Sequence, residues 1–179
     1  ATRSRGVATI PPGADTTLVI DGFSFSNGSA TRGGALYVSP GASAIIRNVK
    51  FNNNQADSGG AAVYCAPGSS PRIRGCFFTV NRVPVPKSPV VTLDNSSAEV
   101  SNCTWRDNLT IGIDILGGSP DVFNNILFRC DRGGIRCAPG STPILDHNLA
   151  FGNDDFDFSG CALVPGDGNI SEPPLFCDL

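Results

Sequence analysis

At 179 residues, with 16% charged side chains and a formal net charge of −3, the chain suits one ordinary domain and is too weakly basic for nucleic-acid binding. No apolar run approaches the roughly 18 residues a membrane helix requires. The 21 Gly, 14 Pro and absence of Met fit a turn-rich β protein better than a helical one.

Ala1-Thr2-Arg3-Ser4-Arg5 does not read as a secretory leader, so the chain is expected to be mature or cut from a longer precursor. Val7 to Ala14 reads as a short apolar strand and a turn, so the chain should enter part-way round a coil. Only the polar stretch Thr2 to Arg5 would then cover the edge of that first strand. Gly22-Phe23-Ser24-Phe25 opens a motif of Gly or Asn, two residues and an aromatic. It returns as Asn48-Val49-Lys50-Phe51, Gly75-Cys76-Phe77-Phe78, Asn102-Cys103-Thr104-Trp105, Asn125-Ile126-Leu127-Phe128 and Asn148-Leu149-Ala150-Phe151. Successive aromatics lie 26, 27, 27, 23 and 23 residues apart. Self-similarity at such a period marks a solenoid.

Two further elements repeat with it. Pro12-Gly13, Pro40-Gly41, Pro67-Gly68 and Pro139-Gly140 each centre a type II turn, because Pro presets φ and Gly accepts the positive value. Asn95-Ser96 and Gly117-Gly118 hold the same place in coils that lack Pro-Gly. Gly33-Gly34, Gly59-Gly60 and Gly133-Gly134 each open a short apolar strand. One coil therefore reads strand, turn, strand, corner, strand, loop. The expected fold is an all-β parallel β-helix of about six coils over residues 1–163, with an irregular C-terminal cap over 164–179.

Side chains alternate along a strand, which predicts columns. Phe25, Phe51, Phe78, Trp105, Phe128 and Phe151 should point inward. So should Phe23, Val49, Cys76, Cys103, Ile126 and Leu149, and also Ile20, Ile46, Ile73, Val100 and Phe123, with Asp146 as the exception. Asp21, Arg47, Arg74, Ser101, Asn124 and His147 should point outward. Gly22, Asn48, Gly75, Asn102, Asn125 and Asn148 fall at the corners, where both residue types tolerate left-handed backbone.

The loops Ser26–Arg32, Asn52–Ser58 and Thr79–Ser88 vary most and stack on one side of the rod, where a ligand would be expected. Seven cysteines point to an oxidising compartment. Cys76 and Cys103 share a register in neighbouring coils and suit a disulfide; Cys161 with Cys177 and Cys130 with Cys137 are further candidate pairs. Cys65 is left as a buried thiol or a link to another chain. Asn27, Asn95, Asn102, Asn108 and Asn169 each begin an Asn-x-Ser/Thr sequon. Asn102, at a corner, is expected to be too buried for a glycan, leaving Asn27, Asn95, Asn108 and Asn169.

Gly33-Gly34-Ala35-Leu36, Gly59-Gly60-Ala61-Ala62, Phe51-Asn52-Asn53-Asn54 and Phe78-Thr79-Val80-Asn81 resemble the repeats of polymorphic outer-membrane adhesins. More broadly, the chain resembles right-handed parallel β-helix proteins of the pectin-lyase-like group. The resemblance implies a right-handed solenoid. It leaves function open among lyases, hydrolases, epimerases, adhesins and fibre proteins.

Polygalacturonases of that group would need paired carboxylates with His and Arg motifs. Asp154 and Asp155 form the only adjacent pair, with Asp157 nearby, but no Gly-His-Gly or Arg-x-Lys accompanies them. His147 is the only His, and as a strand neighbour of Asp146 it should face away from it. Asp21 and Arg47 read as a surface ion pair. No metal or cofactor is expected, because His/Cys spacing of the finger type is missing. The leading expectation is a non-enzymatic structural protein, secreted or at the cell surface, a disulfide-braced glycoprotein that self-associates or joins other surface proteins in an assembly or fibril. The alternatives are a carbohydrate-binding or adhesin module and a minimal polysaccharide lyase or hydrolase.

Overall fold

The computed structural model describes residues 6–82, 88–163 and 167–173. They form a parallel β-solenoid whose coils each place one short strand in each of three sheets. The first sheet contains Ala8–Ile10, Leu36–Val38, Val63–Cys65, Val91–Leu93, Ile113–Ile115, Ile135–Cys137 and Phe158–Ser159. The second contains Val19–Asp21, Ile45–Arg47, Arg72–Arg74, Glu99–Ser101, Asp121–Phe123 and Ile144–Asp146. The third contains Ser24–Ser26, Lys50–Asn52, Phe77–Thr79, Thr104–Asn108, Ile126–Cys130 and Leu149–Phe151.

Local chemistry sets where each coil bends. Ala14 N–H donates to Pro11 O, Ala42 to Ser39 O, Ser69 to Ala66 O and Ser141 to Ala138 O, closing the four Pro-Gly turns at 3.0–3.2 Å. Gly41 at φ 69° and Gly68 at φ 73° take the positive value the turn demands. In the first sheet the two residues flanking each strand centre face inward, as Leu36 and Val38 do, whereas in the second and third sheets the second residue of each strand does. Ile46, Ile73, Val100, Val122 and Leu145 line the core from the second sheet. Phe51, Phe78, Trp105, Leu127 and Ala150 line it from the third. The rings of Phe51 and Phe78 stack at 4.8 Å, and those of Phe78 and Trp105 at 4.6 Å.

The first four coils keep the expected columns, save that Phe23 is 59% exposed on the first coil. The last two depart from them by one residue. Asn124 (φ 55°) and His147 (φ 51°) take the corner, and Asn125 and Asn148 turn inward and are buried. Leu127 and Ala150 therefore register with Trp105, while Phe128 pairs with Arg106 and Phe151 on the outer face. Likewise Val122 and Leu145 face the core in place of Phe123 and Asp146. Ile126 and Leu149 also face out. Because the side-chain period is two, a slip of one residue reverses every face.

Two ladders of buried polar side chains tie the coils together. After the third sheet, Gly28 N–H donates to Asn54 Oδ1, Asn54 to Asn81 and Asn81 to Asn108, at 2.9–3.0 Å. Their Nδ2 groups donate back to Phe25 O, Phe51 O and Phe78 O. Cys130 holds the next rung and donates its N–H to Asn153. Between the second and third sheets, Asn125, Asn148 and Asn169 form the same pattern, with Nδ2 bonds to Val100 O, Val122 O and Leu145 O. Asn169 is thus joined to the solenoid, and Ile170 bridges Leu149.

Cysteines continue this second ladder. Cys76 N–H donates to Cys103 Sγ at 3.3 Å, and Cys103 N–H to Asn125 Oδ1. Their thiols donate to Ile46 O and Ile73 O, where an Asn amide would. Cys76 and Cys103 are accordingly thiol rungs and not the expected disulfide. Cys137 is bonded to Cys161, with Cα atoms 4.9 Å apart, in place of Cys130, which is a buried thiol. Cys177 lies outside the described residues. Cys65 is fully buried, and burial pushes its thiol up to about 12, so it is not placed to link chains.

Candidate functional site

The carboxylates and histidine singled out from sequence lie at different corners of the coil. Asp154 and Asp155 are exposed beyond the third sheet, whereas His147 sits between the second and third. His147 does meet Asp146, Nδ1 to Oδ1 at 2.6 Å, contrary to expectation. Alternation fails there because His147 is the left-handed corner residue. Both side chains are more than half exposed, which makes the contact a surface pair. Arg47 and Asp21 form the expected surface pair at 2.8 Å. Hydrogen bonds from Asn48 and then Arg47 hold the Asp21 carboxyl below its usual range.

What the fold does bring together is a cleft of about 440 Å³ lined by Asp107, Leu109, Arg129, Asp131, Gly152 and Asp154. Its walls follow from the corner after the third sheet. Asp107, Arg129 and Gly152 take the positive-φ position of three successive coils, at 52°, 53° and 64°. Leu109, Asp131 and Asp154 each follow the rung residue of their coil, Asn108, Cys130 and Asn153 respectively. Each set is repeated once per coil, so like positions stand roughly 4.8 Å apart along the rod.

Electrostatics in the cleft are mixed. Arg129 Nη1 lies 3.8 Å from Asp107 Oδ1, and Arg106 Nε lies 3.0 Å from Asp107 Oδ2. Desolvation raises the Asp131 carboxyl above its usual range, and the charge of Asp154 adds to the shift. Beside these groups the half-buried rings of Phe128 and Phe151 stack at 6.1 Å, with the Arg129 guanidinium 4.9 Å from the Phe128 centroid. A Cβ at Gly152 would come within 3.3 Å of the Phe128 ring, so glycine leaves that wall open. Flat apolar rings beside carboxylates can take the apolar face and hydroxyls of a sugar, and a raised carboxyl can donate a proton. No group of three or more acids, histidines or cysteines among the described residues is placed to hold a metal.

Of the residues named from sequence, only Asp154 belongs to this cleft. Asp107 and Asp131 were missed, although the 22- and 23-residue spacing of Asp107, Arg129 and Gly152 was available as a signal. The loops of the earlier coils lie on the same side of the rod. Ser29–Ala30 pairs with Gln55–Ala56 there, and Gln55 bridges Arg82.

The sequons divide unexpectedly. Asn27 and Asn95 are exposed, and their amides bond Asn53 and Asp94 respectively. Asn108 is fully buried as a ladder rung, and the Asn169 amide is engaged in the other ladder. Asn102, expected to be buried, is exposed, because the left-handed corner projects its side chain outward and it is Cys103 after it that points in.

Comparison with known proteins adds one match. A family model described as right handed beta helix region covers residues 13–171. Among curated proteins and among solved structures there is no significant match.

Proposed function

The chain belongs to the right-handed β-helix family, and from that we propose a non-enzymatic extracellular structural protein that associates with copies of itself through its first coil. The observation that carries this reading is the edge of that coil, which no strand pairs among the described residues. Ala8–Ile10, Val19–Asp21 and Ser24–Ser26 each pair with a strand on one side only among the described residues. Val7, Val19 and Phe23 are 51%, 46% and 59% exposed beside those edges. Unpaired strand edges with apolar flanks favour β-augmentation by another chain. The Cys137–Cys161 bond and the sequons support an extracellular setting.

Sedimentation velocity over a concentration series tests this. Wild-type mass should rise with concentration, and Phe23→Asp should stay monomeric with an unchanged circular dichroism spectrum. A wild type that remains monomeric at its highest soluble concentration removes the reading.

A second reading, carbohydrate binding, is favoured by the Phe128–Phe151 stack beside the Asp131 cleft. Titration with neutral and uronic oligosaccharides should then shift the ring signals of both residues in NMR spectra. Unmoved signals with every oligosaccharide would discard it.

A further inference from the structure

We propose that Asn102 is an N-linked glycan acceptor, and that the fold excludes Asn108 and Asn169 from that role. The inference rests on the extracellular reading above. Asn102-Cys103-Thr104 is a complete sequon. Asn102 stands at an exposed corner with φ 53°, where its backbone N–H donates to Phe123 O. Its side-chain amide makes no hydrogen bond among the described residues, so attachment of a sugar there breaks nothing. One coil earlier the same corner is Gly75, and a Cβ built there would meet only Asn48 Oδ1, at 3.4 Å. That leaves open space on one flank of Asn102.

The other sequons are constrained in different ways. Asn108 Nδ2 donates to Phe78 O, while its Oδ1 accepts from both Asn81 N and Asn81 Nδ2. A sugar on that nitrogen would have to enter the core and would displace the buried bond to Phe78 O. Asn169 Nδ2 is committed to Leu145 O in the same way. Asn27 and Asn95 are exposed but hold side-chain bonds to Asn53 and Asp94. Asn27 accepts through Oδ1 and keeps its Nδ2 free among the described residues, whereas a glycan on Asn95 Nδ2 competes with the surface bond to Asp94 Oδ1; neither breaks the fold.

The donor class is an oligosaccharide carried on a polyprenyl diphosphate. Asn102 Nδ2 forms a bond to the anomeric carbon as the bond from that carbon to the diphosphate oxygen breaks. The amide proton is released and the polyprenyl diphosphate leaves. Since transfer precedes folding, the fold acts afterwards as a filter. Chains modified at Asn108 fail to close their ladder, and chains modified at Asn102 fold with the glycan on the corner between the second and third sheets.

The test is secretion of the full chain from eukaryotic cells, followed by enzymatic deglycosylation in heavy-oxygen water and peptide mapping of the folded fraction. Occupancy is expected at Asn102 and none at Asn108 or Asn169. Thr104→Ala, which removes the sequon without altering a ladder rung, should lower the intact mass by one glycan, and Asn102→Gln should do the same. A bare Asn102 beside an occupied Asn27 or Asn95 overturns the proposal while leaving the extracellular reading intact. A glycan on Asn108 in folded protein also overturns it. Five bare sequons overturn both.

Discussion

Replacing Asn81 with alanine is expected to destabilise the protein by about 3–5 kcal/mol, lowering the melting temperature by roughly 10–15 °C. Asn81 is fully buried and serves four bonds. Its Oδ1 accepts from Asn54 N and Nδ2 at 3.0 and 3.1 Å, and its Nδ2 donates to Phe51 O and Asn108 Oδ1 at 3.0 Å each. Alanine leaves the Asn54 N–H buried without an acceptor, at a cost of about 1–3 kcal/mol, and takes one hydrogen bond each from Asn54 Nδ2, Phe51 O and Asn108 Oδ1. Asparagine is needed for both ends of its amide: Asn81→Asp keeps the acceptor, loses the donor and buries a charge, so it should be no milder. Equilibrium denaturation of both variants decides the matter. A loss below about 1 kcal/mol would mean that the ladder is incidental to stability.

Phe78→Ala should cost about 3–5 kcal/mol, whereas Phe128→Ala should cost less than about 1 kcal/mol. Phe78 is fully buried between the rings of Phe51 and Trp105, and its deletion opens a cavity that rigid coils on both sides cannot fill. Phe128 lies on the outer face of the same sheet, stacked only on Phe151 and under Arg129. The pair of measurements separates two registers for the last coils. Six equivalent aromatics on one inward column would give equal losses, and that result would contradict the structure. Leu127→Ala should instead behave like a core deletion, at about 2–5 kcal/mol.

Much of the architecture was legible from the chain. The Pro-Gly turns recur because their backbone demands are local: one residue with preset φ and one that accepts a positive value. The apolar centres Ile46, Ile73 and Val100 alternate with Arg47, Arg74 and Ser101, and alternation needs only the period of the strand. The cleft was less legible. Asp107 and Asp131 carry no mutual sequence signal beyond coil spacing, and they converge because Asn108 and Cys130 each occupy a rung that turns the chain.

By itself the sequence determined the coil count, the turns and the parallel stacking, since these depend on interactions within a few residues and on a repeat. Tertiary structure alone decided which of two adjacent polar residues faces inward. Asn124 beside Asn125, and His147 beside Asn148, can each supply a corner. What chooses between them is the buried bond to Val100 O or Val122 O, made to the preceding coil. The same long-range bonds decide that Cys76 and Cys103 stay thiols, that Asn108 is inside and that Asn102 is outside. A side chain's local conformational freedom leaves those outcomes equal, and only hydrogen bonds to strands more than twenty residues away separate them.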